Sequence, residues 1–136
     1  GMQMNIQEMA TAVTQGANVT VCILNNYYLG MVRQMQQLFY GKRYVATCLR
    51  RRPGCPNDCK GPNPACPPYT PDFVKLAESY GAHGIRVENV EDIDAAFEEA
   101  KKHKDAPTII EFMISTDELV LPMVKGGNPM SEMILK

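Results

Sequence analysis

The feature that most constrains this chain is the stretch from Val19 to Gln34, VTVCILNNYYLGMVRQ, where a β-branched apolar run stops at Asn25-Asn26 and turns through Gly30 into helical spacing. An apolar run bounded by turn residues predicts a buried strand over residues 19–24. Residues 29–40 then predict a helix, with Met31, Val32, Met35, Leu38 and Phe39 on one apolar stripe closed by Gly41. Taken without context, the Asn pair makes turn hydrogen bonds to its own backbone.

The same alternation recurs on both sides. Ile6, Met9, Ala10 and Val13 predict a helix over residues 5–15, ended by Gly16. Thr70, as N-cap with Pro71 at the first helical position, opens a helix through Phe73, Leu76, Ala77 and Tyr80 to Gly81. Residues 84–87 predict a short strand, residues 89–104 an amphipathic helix with Ile93, Ala96, Phe97 and Ala100 inward, and residues 108–114 an apolar strand. Strands separated by helices imply an α/β fold: a three-layer α/β/α arrangement around a mostly parallel sheet, which binds ligands at the carboxyl ends of its strands. Asn25 and Asn26 fall at such an end. Residues 45–70 interrupt the pattern as a Cys/Pro-rich loop with four of the five cysteines, the run Arg50-Arg51-Arg52 and no periodicity.

At 136 residues and 45% hydrophobic composition the chain is sufficient for one core. Its formal net charge of −1, from 14 basic and 15 acidic residues, gives no general electrostatic case for nucleic acid or an anionic membrane. The absence of a long apolar run or a signal-like amino terminus gives a cytoplasmic expectation. Gly1-Met2 reads as a protease scar before a start Met, and Gly1 is set aside.

The segments QMNIQEMATAV, ILNNYYLGMVRQMQQLFYGKRY, TPDFVKLAESYGAHGIRV and VLPMV, in that order, closely resemble the carboxyl-terminal part of the large catalytic subunit of acetolactate synthase, also called acetohydroxyacid synthase. The resemblance spans nearly the whole chain except the residues around the cysteines. It implies that residues 1–136 are the carboxyl-terminal part of a thiamine diphosphate-binding domain, with residues 45–70 inserted where relatives have a short loop. It implies magnesium held by the Asn26 side chain and the Tyr28 backbone carbonyl, with Gly30, Met31 and Val32 near the cofactor's diphosphate. Magnesium is a hard cation that takes such oxygens together with phosphate and water. The implied reaction is a transferase reaction of branched-chain amino-acid synthesis: pyruvate is decarboxylated and condensed with a second 2-ketoacid. FAD on a middle domain, a homo-oligomer and a regulatory small subunit are further implications, with no nucleic-acid or membrane partner.

The family signature begins with a Gly-Asp-Gly that aligns just before Gly1, and the activating Glu comes from an amino-terminal domain of a neighbouring subunit. No catalytic residue is therefore expected within this chain, which by itself should be silent and prone to self-association. Met35 stands where most family members carry a Trp lining the active-site entrance, so it is a substrate-pocket candidate; otherwise it is a core residue of the helical stripe. Other carboligases or oxidases of the same scaffold are the alternative enzyme reading, and a small metal-binding or interaction module is the alternative of a different class.

Cys22 reads as a buried small hydrophobe. Cys48, Cys55, Cys59 and Cys66 can form a zinc or iron–sulfur site, disulfides, or free thiols. Their loop is expected to be compact, cross-linked and remote from the magnesium site; Arg50 to Arg52 beside the thiols either neutralise a thiolate cluster or, as the preferred reading, form a solvated run. His83 and His103 read as structural or solvated, and Glu98 and Glu99 as solvent-facing partners of the lysines that follow.

Overall fold

A computed structural model describes residues 1–56, 58–59, 61, 63–69 and 71–135. A 3-10 turn at Met2–Asn5 leads into α1 (Glu8–Thr14), then β1 (Thr20–Asn25) and α2 (Gly30–Phe39). After the Cys/Pro-rich segment come α3 (Phe73–Ser79), β2 (His83–Val87), α4 (Ile93–Ala100) and β3 (Thr108–Met113). The three strands form one sheet in the order β1-β3-β2. Both pairings are parallel, with Thr20 beside Thr108 and His83 beside Thr108, so all three strands present their carboxyl ends on the same side.

The layers follow from the two-residue period of the central strand. Ile109 faces one way, into a core with Met9 of α1 and Phe73 and Ala77 of α3. Ile110 faces the other, against Val87 and Ala96 and Ala100 of α4. Helices therefore cover both faces, as the alternating sequence predicts. The close approach of α3 depends on Gly84, because a Cβ there would lie 2.8 Å from both the Cα and the carbonyl oxygen of Val74.

Three sequence expectations change at this level. The strand at residues 19–24 is not buried throughout: β1 is an edge strand with alternating burial, and Cys22 is exposed on it. Phe97 is 37% exposed, although its ring still meets Phe112 at 5.9 Å. On α2 the apolar stripe is not the buried face: Met31 and Val32 are exposed, whereas Arg33 and Gln34 are buried. Partner groups explain the inversion. Arg33 donates to the Thr116 carbonyl at 2.6 Å and to Asp117 at 2.7 Å, and Gln34 exchanges hydrogen bonds with the Val120 backbone at 2.8 Å. Polar side chains are buried when their hydrogen bonds are met.

The cap of α3 is Asp72, not Thr70, which lies outside the described residues; Pro71 precedes the cap. Asp72 accepts from the backbone N–H groups of Val74 and Lys75 at 3.2 and 3.3 Å and pairs with Arg86 at 2.7 Å. Desolvation pushes its carboxyl pKa up, but these N–H donors and Arg86 together outweigh it and leave it below the usual value. Asp72→Ala is expected to cost about 1 kcal/mol of stability in urea unfolding. Because the folded pKa is depressed, this contribution is present above the unfolded value and lost as pH falls through the folded one. The wild-type and Ala proteins should therefore converge in stability at acid pH.

Candidate functional site

At the carboxyl end of β1 both Asn side chains fold back onto the chain. Asn25 Oδ1 accepts the Tyr27 N–H at 2.9 Å, and Asn26 Oδ1 accepts the Tyr28 N–H at 3.0 Å. Tyr27 is thereby held at a positive φ of 65°, which short-range Asx bonds make tolerable. Asn25 also donates to Glu111 Oε1 at 2.6 Å. Glu111 is 2% exposed on the middle strand and takes Arg86 Nε on its other oxygen at 2.9 Å. Arg86 is held above its ordinary pKa, first by that hydrogen bond to Glu111. A chain of polar contacts, Asn25–Glu111–Arg86–Asp72, thus runs from the buried Asn25–Glu111 pair out to the surface and fixes the turn.

Gly30 closes the turn and starts α2. A Cβ at this position would stand 2.8 Å from Asn26 Nδ2, so the bare glycine leaves the room that the amide occupies. Leu29 caps α2 without a side-chain hydrogen bond, and the first turn carries no acidic residue. The amino terminus of α2 is therefore open to an anion. A groove of about 670 Å³ runs beside it, lined by Asn26, Gly30, Met31 and Met35 on one side and by residues such as Leu119 and Val124 on the other. Its size is that of a small-molecule site.

The predicted site residues separate into two groups. Asn26, Gly30, Met31 and Met35 share the groove. Val32 points into a neighbouring hollow with Met35 and Tyr40. The Tyr28 side chain turns the other way and lines a second cavity with all four clustered cysteines, Cys48, Cys55, Cys59 and Cys66. Burial first, and then the nearby Cys48, push its hydroxyl up to about 12. The cysteine loop is accordingly not remote from the Asn turn. Tyr28 pairs with Cys48 in an antiparallel bridge, flanked by Leu29 N–H to the Thr47 carbonyl at 2.9 Å and Leu49 N–H to the Tyr27 carbonyl at 2.8 Å.

Of the three arginines, Arg51 is exposed as expected of a solvated run, but Arg50 is not. Arg50 donates to the carbonyls of Pro67 at 2.5 Å and Cys66 at 2.9 Å, joining both ends of the loop, and its guanidinium lies 4.8 Å from the Tyr27 ring centre. Sequence patterns miss these roles because a run of like charges looks the same whether it meets water or carbonyl groups. The buried Arg33 is likewise unsignalled; its guanidinium packs against the rings of Tyr28 at 4.6 Å and Tyr44 at 4.4 Å. His83 and His103 stack on each other at 3.5 Å, away from either cavity, and Glu98 and Glu99 pair with Lys101 and Lys102 as expected.

A parallel sheet whose first strand ends in an Asn turn against an uncapped helix defines a class of cofactor-binding domain, and the family comparison agrees. Residues 1–112 match the family described as thiamine pyrophosphate enzyme, C-terminal TPP binding domain, and the chain belongs to it; thiamine pyrophosphate is another name for thiamine diphosphate. The relatives narrow the resemblance to acetolactate synthases. The chain is 39% identical over 130 residues to that of Mycobacterium bovis, matching 96% of this chain and 19% of that protein. It is 38% identical over 130 residues to the acetolactate synthase large subunit of Corynebacterium glutamicum (96% and 18%). It is 36% identical over 134 residues to that of Haemophilus influenzae (98% and 20%). The chain thus spans about a fifth of the length of these relatives. Among solved structures, the thiamine diphosphate-dependent 4-hydroxybenzoylformate decarboxylase of Rhodococcus jostii RHA1 aligns with a TM-score of 0.60 and 29% identity, over 87% of this chain and 19% of that one.

Proposed function

We propose that this chain forms the magnesium–diphosphate half of the active site of an acetolactate synthase. The observation that carries the reading is the Asn26–Gly30 turn, in which an amide and a bare glycine meet at the open end of α2. The residues fit the group. Asn26 Oδ1 holds one N–H bond and retains a lone pair for magnesium, the Tyr28 carbonyl adds a second oxygen, and the first turn of α2, from Gly30 through Met31 to Val32, receives the diphosphate. Bound there, thiamine diphosphate supplies the carbanion chemistry that decarboxylates one 2-ketoacid and transfers its acyl carbon to another. The chain's own part is to fix the metal ligands through the buried Asn25–Glu111 pair and to wall the groove with Met31 and Met35.

FAD, the activating carboxylate and the regulatory small subunit are assigned to other parts of the full-length enzyme, which we place in the cytoplasm. No helix among the described residues is long and apolar enough to cross a membrane. Leu24 at 68% and Met31 at 78% exposure are apolar surface suited to cover by other parts of the enzyme, which we take to be a homo-oligomer as the large-subunit relatives suggest.

The test is acetolactate formation from pyruvate by the full-length protein with thiamine diphosphate and magnesium. Asn26→Ala is expected to abolish it while leaving the fold intact by circular dichroism. A protein that binds the cofactor but only decarboxylates, as the name of the Rhodococcus relative describes, would overturn the synthase reading. The chain without the rest of the enzyme is expected to release no acetolactate. In the full-length protein, Met35→Trp should raise the preference for 2-ketobutyrate over pyruvate by about tenfold, because a rigid ring replaces a flexible thioether. Equal competition ratios for the two forms would remove Met35 from the pocket.

A further inference from the structure

Nothing in the cofactor reading uses Cys48, Cys55, Cys59 or Cys66. Their loop has few apolar side chains, and neighbours such as Pro53, Gly54, Pro56, Asn63 and Pro64 are exposed, yet all four cysteines are half-buried. They line one cavity of about 40 Å³, more than a single water requires. Ordering such a loop costs backbone entropy at every residue, and little apolar burial offsets it. Whatever joins the thiols supplies the missing order.

Backbone groups of the loop meet three of the four sulfurs. Cys55 Sγ accepts the Arg52 N–H at 3.4 Å, Cys66 Sγ accepts the Asn63 N–H at 3.3 Å, and Cys59 Sγ donates to the Gly61 carbonyl at 3.3 Å. Arg50 and Arg51 line the same cavity. Hydrogen bonds to the sulfurs and adjacent cations are features that tune iron–sulfur centres. The arrangement also distinguishes between metals. Zinc draws four sulfurs to about 2.3 Å from one point, but among the described residues no three His, Cys, Asp or Glu side chains are gathered to hold one ion. Thiols set around a void instead match a polynuclear core, with iron and inorganic sulfide filling the centre.

We propose that Cys48, Cys55, Cys59 and Cys66 ligate a [4Fe–4S] cluster that locks this loop against the Asn turn. Ligation transfers no electrons: the cluster arrives with its own iron and sulfide from a cluster-assembly protein, and each new iron–thiolate bond replaces one to a carrier thiolate, which takes the proton the incoming thiol loses. The Tyr28–Cys48 bridge then fastens the cluster to the segment that carries Asn26.

The experiment uses the full-length protein, produced with added iron and purified without oxygen or chelator. Iron and acid-labile sulfide are measured, together with alkylation of each cysteine-bearing peptide before and after the metal is stripped. About four iron and four sulfide per chain are expected, with the peptides of Cys48, Cys55, Cys59 and Cys66 protected until stripping and alkylated after it. Cys55→Ser and Cys59→Ser should each lose at least half of the iron, and Cys22→Ser none. Because the alkylation pattern is read on the unmutated protein, misfolding of a variant does not weaken the test. One zinc per chain without sulfide, disulfides among the four, free alkylation of all four, or iron bound with these four unprotected would each overturn the proposal. Thiamine diphosphate titration is read separately, so the two site readings stand or fall independently.

Discussion

Gly30→Ala in the full-length enzyme is expected to lower thiamine diphosphate–magnesium affinity by about ten- to a hundredfold while leaving stability nearly unchanged. The two outcomes separate for a geometric reason. The new methyl would sit 2.8 Å from Asn26 Nδ2, the end of a mobile side chain, so the amide swings aside at little cost. Alanine also favours a helix over glycine by roughly 1 kcal/mol, which offsets the shift. What is lost is the position of Asn26 Oδ1, now fixed by the Tyr28 N–H at 3.0 Å. Isothermal titration of cofactor against both forms, with urea unfolding alongside, checks it. Equal affinities would show that the Asn26–Gly30 contact has no part in cofactor binding.

Glu111→Ala is expected to be the most destabilising polar change, at about 3 kcal/mol in urea unfolding. It removes a fully enclosed carboxylate from the middle strand and leaves Asn25 Nδ2 without its acceptor at 2.6 Å. Arg86 is 37% exposed in its side chain and recovers water on losing its 2.9 Å partner, so the cost stays below that of a wholly buried ion pair. Glu111→Gln keeps one acceptor for Asn25 and should recover about half of the loss. A double-mutant cycle with Asn25→Ala measures the coupling, and a value near zero would detach Glu111 from the Asn turn.

The cysteine loop connects these two regions. If the cluster forms, the loop, the Asn turn and the start of α2 become one ordered unit through the Tyr28–Cys48 bridge and the Leu29–Thr47 hydrogen bond. Within that unit the Asn turn and the start of α2 line the groove, whereas the thiols face the opposite cavity.

The sequence by itself determined the order of elements, the parallel sheet, the place of the Asn pair and the family. All of these rest on local periodicity and short motifs: strand and helix follow from the spacing of apolar residues, and the turn from two adjacent Asn before a Gly. The tertiary structure alone decided which side of a helix or loop meets protein. On α2 Met31 and Val32 of the apolar stripe remain exposed while Arg33 and Gln34 turn inward, because the 116–120 segment offers carbonyl and carboxylate partners distant in sequence. Cys22 is exposed because β1 is a sheet edge, and an apolar run reads alike at an edge and in the middle. Glu111, in an apolar strand, shows no sign in the sequence of the Asn25 and Arg86 that neutralise its burial. The four clustered thiols, spread between residues 48 and 66, reach one cavity only because Arg50 ties the loop's ends and Cys48 pairs with Tyr28. Hydrogen bonds between residues far apart in the chain set these choices, and no local pattern encodes them.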